Sequence, residues 1–558
     1  MASDPATPFQ GKTNGLDPET RKMVVETVLQ LKNRLLTKEK VLDLDKHETF
    51  PEDIIRQMLG PEIGLQLLFI PEAYGGMGGG AEDCCEITRE MAKICLGVST
   101  AFFAIQLGSD PLRVGGTETQ KKKWLSAIAE GKSLVAYAVT EPEAGSNLAS
   151  LKTKADPVLG SSGEIVGYKI NGSKQFISTG GYADFITVLA KAPEGPSFFI
   201  VEKGSEGFVQ GKGEEKHGIR ASNTSPITFT DVFVPKDNLI GGVPGLGLKQ
   251  ANEVFGYTRL MVAAMALGAG EAAMDIVIPY AKERIQFGSP LSEKQGYTHK
   301  LVVPHVVRLE AAASYLMETA KRLDETREDL QVEGSIAKLF ATETANKAAD
   351  DAIQALGGYG YIREFMVEKI KRDVKITCIY EGTSEIQQNI ISTFRWKKTR
   401  KTKGAFYSDI AMEMDQINAS SPDMGGKLIG LAARALNETV TLVHDHKLTR
   451  QQVVMFALAD MMTHVETGAS FVKKAKSLED QRNPTSEKIK VFSRIFAREV
   501  AQTVSQNAAK ITMGSGLFDS EKAFSFLESI AFASLTAGYQ HLFNDLDLAA
   551  DYIFERRI

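Results

Sequence analysis

The sequence predicts a mainly helical α+β fold: a helical part, a β part and two further helical parts, in that order. Three observations predict it. Apolar residues recur at helical spacing through residues 18–131, short β-rich runs broken by Gly, Pro and Ser clusters fill residues 132–240, and alanine-rich sequence of helical period dominates the remainder. Strand and helix never alternate, so a doubly wound parallel sheet is not expected.

Each part follows from its residues. Residues 1–17 carry Asp4 and Asp17 among Pro, Gly and Thr and lack the basic start and apolar run of a signal peptide, so a flexible tail is expected. Within 18–131, the series Met58, Ile63, Leu67 and Ile87, Met91, Ile94, Cys95 mark the buried faces of helices. The runs LVAYAVT, IVGYKI, DFITVLA, SFFIV and ITFTDVFV make residues 132–240 a β domain. After the glycine-rich GGVPGLG at 241–247, helical periodicity predicts a bundle over 241–395. Residues 395–403 read RWKKTRKTK, six basic residues in nine, and predict a linker at 396–405 before an extra helical domain at 406–558. No internal repeat is evident.

The bulk numbers bound the function. At 558 residues the chain exceeds a single core. With 43% hydrophobic and 24% charged residues its composition is globular. A net charge of -5 is nearly balanced, which argues against nucleic acid as the main partner. Four cysteines, Cys84, Cys85, Cys95 and Cys378, lack paired metal spacing and are too few to frame a large secreted protein; reduced, buried thiols and no metal are expected. No uninterrupted apolar run approaches the roughly eighteen residues of a spanning helix, and a cytoplasmic location is expected. The basic run with the following AFYSDIAMEM leaves peripheral contact with an anionic membrane surface open, a solvated linker being the plainer reading.

Three separated segments carry the chemistry. GGVPGLG is not among them, because its glycine spacing is wrong for a dinucleotide loop and no βαβ unit surrounds it. The segments are YAVTEPEAGSN at 137–147, KQFISTGG at 174–181 and QALGGYGYIREFMVEKIKRDVKITCIYEGTSEIQ at 354–387. In this order and spacing they resemble the acyl-CoA dehydrogenase family over roughly residues 20–395, and the third segment is by itself highly specific. The resemblance implies an N-terminal helical domain, a central β-barrel-like domain and a C-terminal four-helix bundle, with FAD held between the last two. The extra C-terminal helical domain resembles the very-long-chain branch, which implies a homodimer.

The resemblance also implies roles. A strand ending at Val139 and Thr140 opens into a turn that frees N–H groups and hydroxyls for polar edges; in the family the positions of Tyr137, Val139, Thr140, Gly145 and Ser146 lie along the flavin, with Ser146 also near the CoA portion. Phe176 stands where an aromatic meets the flavin face and Ser178 where a hydroxyl nears N5, with Ile177 between them. ERIQFGSPLSEKQ at 283–295 resembles a contact made with FAD across a subunit interface, implying Arg284, Gln286, Phe287 and Gln295. Gln354, Gly357 and Gly358 join that contact, although adjacent glycines also suit a helix C-cap. Glu381 of YEGT stands where the family has the base that takes the α-proton of an acyl thioester while hydride passes to flavin N5. Gly382 admits substrate to the main chain, Thr383 and Glu385 lie near the cofactor, Arg259 is retained on the substrate side, and Phe103 faces the acyl end. Some branches carry the base at the position of Thr258; a carboxylate is absent there and present at 381.

The implied activity is oxidation of an acyl-CoA to the trans-2-enoyl-CoA in fatty acid β-oxidation, with electrons passing to an electron-transferring flavoprotein. An acyl-CoA oxidase using oxygen and a non-catalytic assembly factor on the same fold remain alternatives. Length, branching and aromatic character of the acyl group stay open.

Overall fold

The computed structural model describes residues 15–326 and 328–556, so most of the expected tail lies outside the described residues. Its last residues are not tail-like. Leu16 is buried, its N–H donating to Asp83 Oδ2 at 2.7 Å, and Asp17 caps the first helix by accepting from the N–H groups of Glu19 and Thr20 at 3.0 Å.

The helical N-terminal part comprises α1 (Pro18–Arg34), α2 (Lys38–Lys46), α3 (Glu52–Leu59), α4 (Ala81–Ile94), α5 (Leu96–Gly115) and α6 (Glu118–Ala129). Helix α5, LGVSTAFFAIQLGSDPLRVG, is apolar nearly all round and accordingly buried. It approaches the first strand so closely that a Cβ on Gly108 would fall 2.9 Å from the Val135 carbonyl carbon.

The β part forms a seven-stranded sheet of β1 (Val135–Ala138), β2 (Lys154–Leu159), β3 (Ile165–Ser178), β4 (Phe185–Ala192), β5 (Gly195–Glu202), β6 (Phe208–Gln210) and β7 (Thr224–Pro235). β5 runs antiparallel along one edge of β4, while β1 and β2 share its other edge in parallel, at Phe185–Val188 and at Lys191. The chain of neighbours continues through β3 and β7 to β6, curling the sheet around a core that includes Tyr168, Ile186, Phe199 and Phe229. Strands β2 and β6 do not stand out in the sequence: β2 contains Pro157 and is largely exposed, and β6 has three residues.

Helix α7 (Gly247–Glu283) follows, then a hairpin of β8 (Ile285–Gln286) and β9 (Ser289–Pro290), then α8 (Gln295–Leu301), α9 (Val303–Glu325), α10 (Gln331–Leu356), α11 (Met366–Val374) and α12 (Ser384–Lys401). The hairpin interrupts what helical periodicity reads as continuous bundle. Helix α7 alone among the described residues is long and apolar enough to cross a membrane, and 78% of its apolar window is buried, as in a core helix. The extension holds α13 (Ala405–Ser420), α14 (Gly426–Asp445), α15 (Gln452–Asp480), α16 (Ser486–Gly514), α17 (Ser520–Ser529), α18 (Phe532–Thr536) and α19 (Leu542–Ile553). All four cysteines are free and buried.

The basic run is not a loop. Residues 396–401 are the last turns of α12, continuing from Arg395, which lies buried between Glu333 (2.9 Å) and Glu466 (2.7 Å), and the Lys398 ammonium sits 4.2 Å from the Phe406 ring centre. Cations also suit a helix C-terminus.

Two compact units result. The first contains the chain through Ala269 with Thr319–Gln331 and Arg363–Glu381; the second contains Gly270–Glu318, Val332–Ile362 and everything from Gly382 onward. The extension therefore shares one unit with the later bundle helices.

Candidate active site

Glu381 and Gly382 form consecutive left-handed residues, with φ of 55° and 89°. For Glu381 that conformation costs on the order of 1 kcal/mol and must be held by its surroundings. The Gly382 carbonyl accepts from the buried Lys338 Nζ at 2.7 Å and from Gln387 Nε2 at 3.0 Å, and the Thr383 hydroxyl caps α12 by accepting from the Ile386 N–H. The turn is thereby fixed on its α12 side.

Within the first unit, the Thr258 hydroxyl of α7 donates to Glu381 Oε2 at 3.1 Å. The neighbouring Tyr257 hydroxyl accepts from Gln106 Nε2 of α5 at 2.7 Å, and one helical turn along α5 Asp110 is paired with Arg113 at 2.7 Å. Burial pushes the Asp110 carboxyl up to about 7; Arg113 opposes that shift and the Glu381 charge adds to it. Burial also raises the Tyr137 phenol well above its usual range, with Glu381 and Asp110 adding to the effect. The Tyr137 hydroxyl and the second Asp110 oxygen have no hydrogen-bond partner among the described residues. Arg259 is buried, with its guanidinium lowered by burial against the attraction of Glu381, and it donates to the Gln331 carbonyl at 3.4 Å. A carboxylate, a hydroxyl donor and a buried cation thus converge where a proton could be taken.

The other implied positions of this unit lie on β1, β3 and the turn after β1. Lys174 clamps two of the segments together, donating to the Val139 carbonyl at 3.0 Å and to Glu141 at 2.7 Å, while the Gln175 N–H donates to the Thr140 carbonyl at 2.9 Å. Phe176 is 63% exposed with φ 60°, Ser178 is half-buried, and Gly145 and Ser146 are exposed. Ile177 is 2% exposed in the sheet core, so strand alternation turns its side chain away from Phe176 and Ser178, and only its main chain could meet a cofactor. Phe103 is buried in α5, edge-on to Phe102 at 5.2 Å.

In the second unit Arg284, Gln286 and Phe287 occupy the exposed β8–β9 hairpin, where Phe287 is 98% exposed with φ 50°. Gln295 opens α8, with its amide donating to Asp547. Gln354 is exposed in the last turn of α10, and a Cβ on Gly357 or Gly358 would meet nothing within 4 Å. Tyr280 and Tyr297 donate to the Leu356 and Ala355 carbonyls at 3.4 and 3.1 Å, joining this glycine segment to the hairpin region. Thr383 caps α12, and Glu385 is exposed in its first turn.

Sequence reading overlooks Gln106, Asp110, Arg113, Tyr257, Lys338 and the Glu141–Lys174 pair. A signal exists for one pair: Asp110 and Arg113 are the only charges in the twenty residues of α5. Within the first unit three features suit a flat ligand with polar edges: an aromatic face exposed at Phe176, a buried phenol without a partner among the described residues at Tyr137, and open backbone at Gly145.

Comparison with known proteins identifies the family. Residues 18–132 match the N-terminal domain of acyl-CoA dehydrogenase, 136–232 match the middle domain, and the C-terminal domain matches twice, over 245–394 and 410–540. The extension thus matches the same domain family as the bundle, a likeness that inspection of the sequence does not detect. An acyl-CoA dehydrogenase of Bacillus subtilis (strain 168) is 40% identical over 357 residues, 63% of this chain and 91% of that protein. The caffeyl-CoA reductase-Etf complex subunit CarC of Acetobacterium woodii is 35% identical over 387 residues, 68% of this chain and 99% of its own. The fold including the extension is shared with a Bacillus anthracis acyl-CoA dehydrogenase solved with FAD, at a TM-score of 0.84 and 24% identity over 98% of each chain. The chain belongs to the FAD-dependent acyl-CoA dehydrogenase family.

Proposed function

We propose that the protein oxidises an acyl-CoA thioester to the trans-2-enoyl-CoA, with Glu381 as the base for the α-proton. The observation that carries this reading is the Glu381 carboxylate itself, set on a strained turn and oriented by the Thr258 hydroxyl at 3.1 Å.

FAD, when bound, supplies the acceptor for the β-hydride. Tyr137, Val139, Thr140, Gly145, Ser146, Phe176 and Ser178 would hold it on the first unit. Arg284, Gln286, Phe287, Gln295, Gln354, Gly357 and Gly358 are the candidates for the contact that the family makes with FAD across a subunit interface, and Thr383 and Glu385 are further candidates. Arg284, exposed on its hairpin, presents planar donors suited to a diphosphate. Thr258 donates to the charged form of Glu381, and Arg259 adds a buried positive charge; both keep the base ready to accept a proton. As the proton leaves, negative charge grows on the thioester carbonyl, and the Glu381 main-chain N–H is the donor this chain would offer it. Substrate binding then dries the carboxylate and raises its proton affinity toward the working pH. In this reading the electrons pass to an electron-transferring flavoprotein, supported by the A. woodii relative, whose name places it in an Etf complex.

Anaerobic addition of short, long, branched and aromatic acyl-CoA thioesters to the purified flavoprotein tests the reaction. Bleaching of the flavin absorbance by one class is expected and identifies the acyl group. Failure of every class to bleach it overturns the reading, and stoichiometric peroxide in aerobic turnover replaces the flavoprotein acceptor with oxygen.

A further inference from the structure

The end of the chain returns to the segment that contains Arg284. Asp547 of α19 accepts from Gln295 Nε2 at 2.9 and 3.0 Å and lies 3.2 Å from His299 Nε2. Just beyond the helix, Glu555 accepts from Lys282 Nζ at 2.7 Å, and the Arg556 guanidinium donates to the Ser292 carbonyl at 3.0 Å. Asp547 of α19 and two residues just beyond it thus grip both shoulders of the stretch 282–299. Between those shoulders stands the hairpin, exposed from Lys282 to Gly288.

The two partners differ in what fixes them. Helix α19 is anchored: Ala549, Ala550 and Phe554 are buried, and Asp545 pairs with Arg494 and Arg498 of α16 at 2.7 and 2.6 Å. The hairpin has strands of two residues each, too short to be ordered by their own ladder. An ordered arm binds a ligand without paying the cost of ordering at that moment.

We propose that α19 and the residues following it are a brace that pre-orders the 284–295 arm for FAD, with Asp547, Glu555 and Arg556 as positioning residues. This rests on the reading that Arg284 and its neighbours hold FAD. Asp547 holds Gln295 at the far end of the arm, and Arg284, whose guanidinium has no partner among the described residues, is left to meet the anion.

The test compares FAD dissociation constants, measured by titrating deflavinated full-length protein and following flavin fluorescence. Asp547→Ala combined with Glu555→Ala and Arg556→Ala removes the grip and, with it, the Arg556–Asp551 ion pair at 3.0 Å, while leaving the buried Ala549, Ala550 and Asp545 of α19 in place. It is expected to weaken FAD binding about tenfold, the scale of a few contacts at or near the surface, with the melting temperature of the deflavinated protein changed far less than by loss of a core contact. Asp547→Asn, which keeps an acceptor oxygen for Gln295, should bind FAD more tightly than Asp547→Ala. Arg284→Ala is the control for the parent reading and should also weaken binding. An unchanged constant in the triple variant beside a weakened one in Arg284→Ala overturns the brace. An unchanged constant in Arg284→Ala removes the arm from the cofactor site, and the brace falls with it.

Discussion

At the scale of single residues, the proposed chemistry concentrates on Glu381. Replacing its carboxylate with an amide removes proton acceptance but keeps shape and the Thr258 contact. Glu381→Gln is therefore expected to retain FAD while turnover falls about 10²-fold or more, measured as acyl-CoA-dependent dye reduction. Asp110 yields a second expectation, from pH. Burial pushes its carboxyl up to about 7 in the folded protein, against an ordinary 3.8. A group whose proton affinity rises on folding contributes stability while protonated, and that contribution is lost as pH climbs through the folded value. Asparagine cannot titrate, so the melting temperature of Asp110→Asn relative to the unaltered protein should rise between pH 5 and pH 8. A difference independent of pH would show that Asp110 is ionised throughout. Glu381 was legible because its neighbours form a specific motif. Asp110 was not, since an aspartate on a helix acquires its meaning only once its surroundings exclude water.

At the scale of elements, the joint between α12 and the extension matters most. Arg395 of α12, Glu333 of α10 and Glu466 of α15 form a buried triad, and the Tyr407 hydroxyl donates to Glu466 at 3.2 Å. Removing the cation takes the compensating charge from between two buried carboxylates, so Arg395→Met should cost about 3–5 kcal/mol, read as a large drop in melting temperature. Adding Glu466→Gln should recover part of that loss. Local pattern located α12 but not its end: six basic residues in a row of nine look solvated until their partners are known. The β8–β9 hairpin escaped for a related reason, because two-residue strands carry no periodicity.

At the scale of the whole molecule, the extension shares a compact unit with the later bundle helices and matches the same domain family as they do. The resemblance of the extension to the very-long-chain branch is the ground for expecting a homodimer. Light scattering at micromolar concentration should give twice the chain mass of 60.8 kDa, and a tetramer would count against it. The order of helical and β parts, the family and the position of Glu381 were determined by the sequence alone, because period, turn chemistry and motif act over a few residues. The pairing of Arg395 with Glu466, the Thr258 contact to Glu381 and the grip of Asp547 on Gln295 were decided only by the tertiary structure. Those partners stand 71, 123 and 252 residues apart, and a charge or hydroxyl has no defined energy until folding sets what faces it and how much water remains.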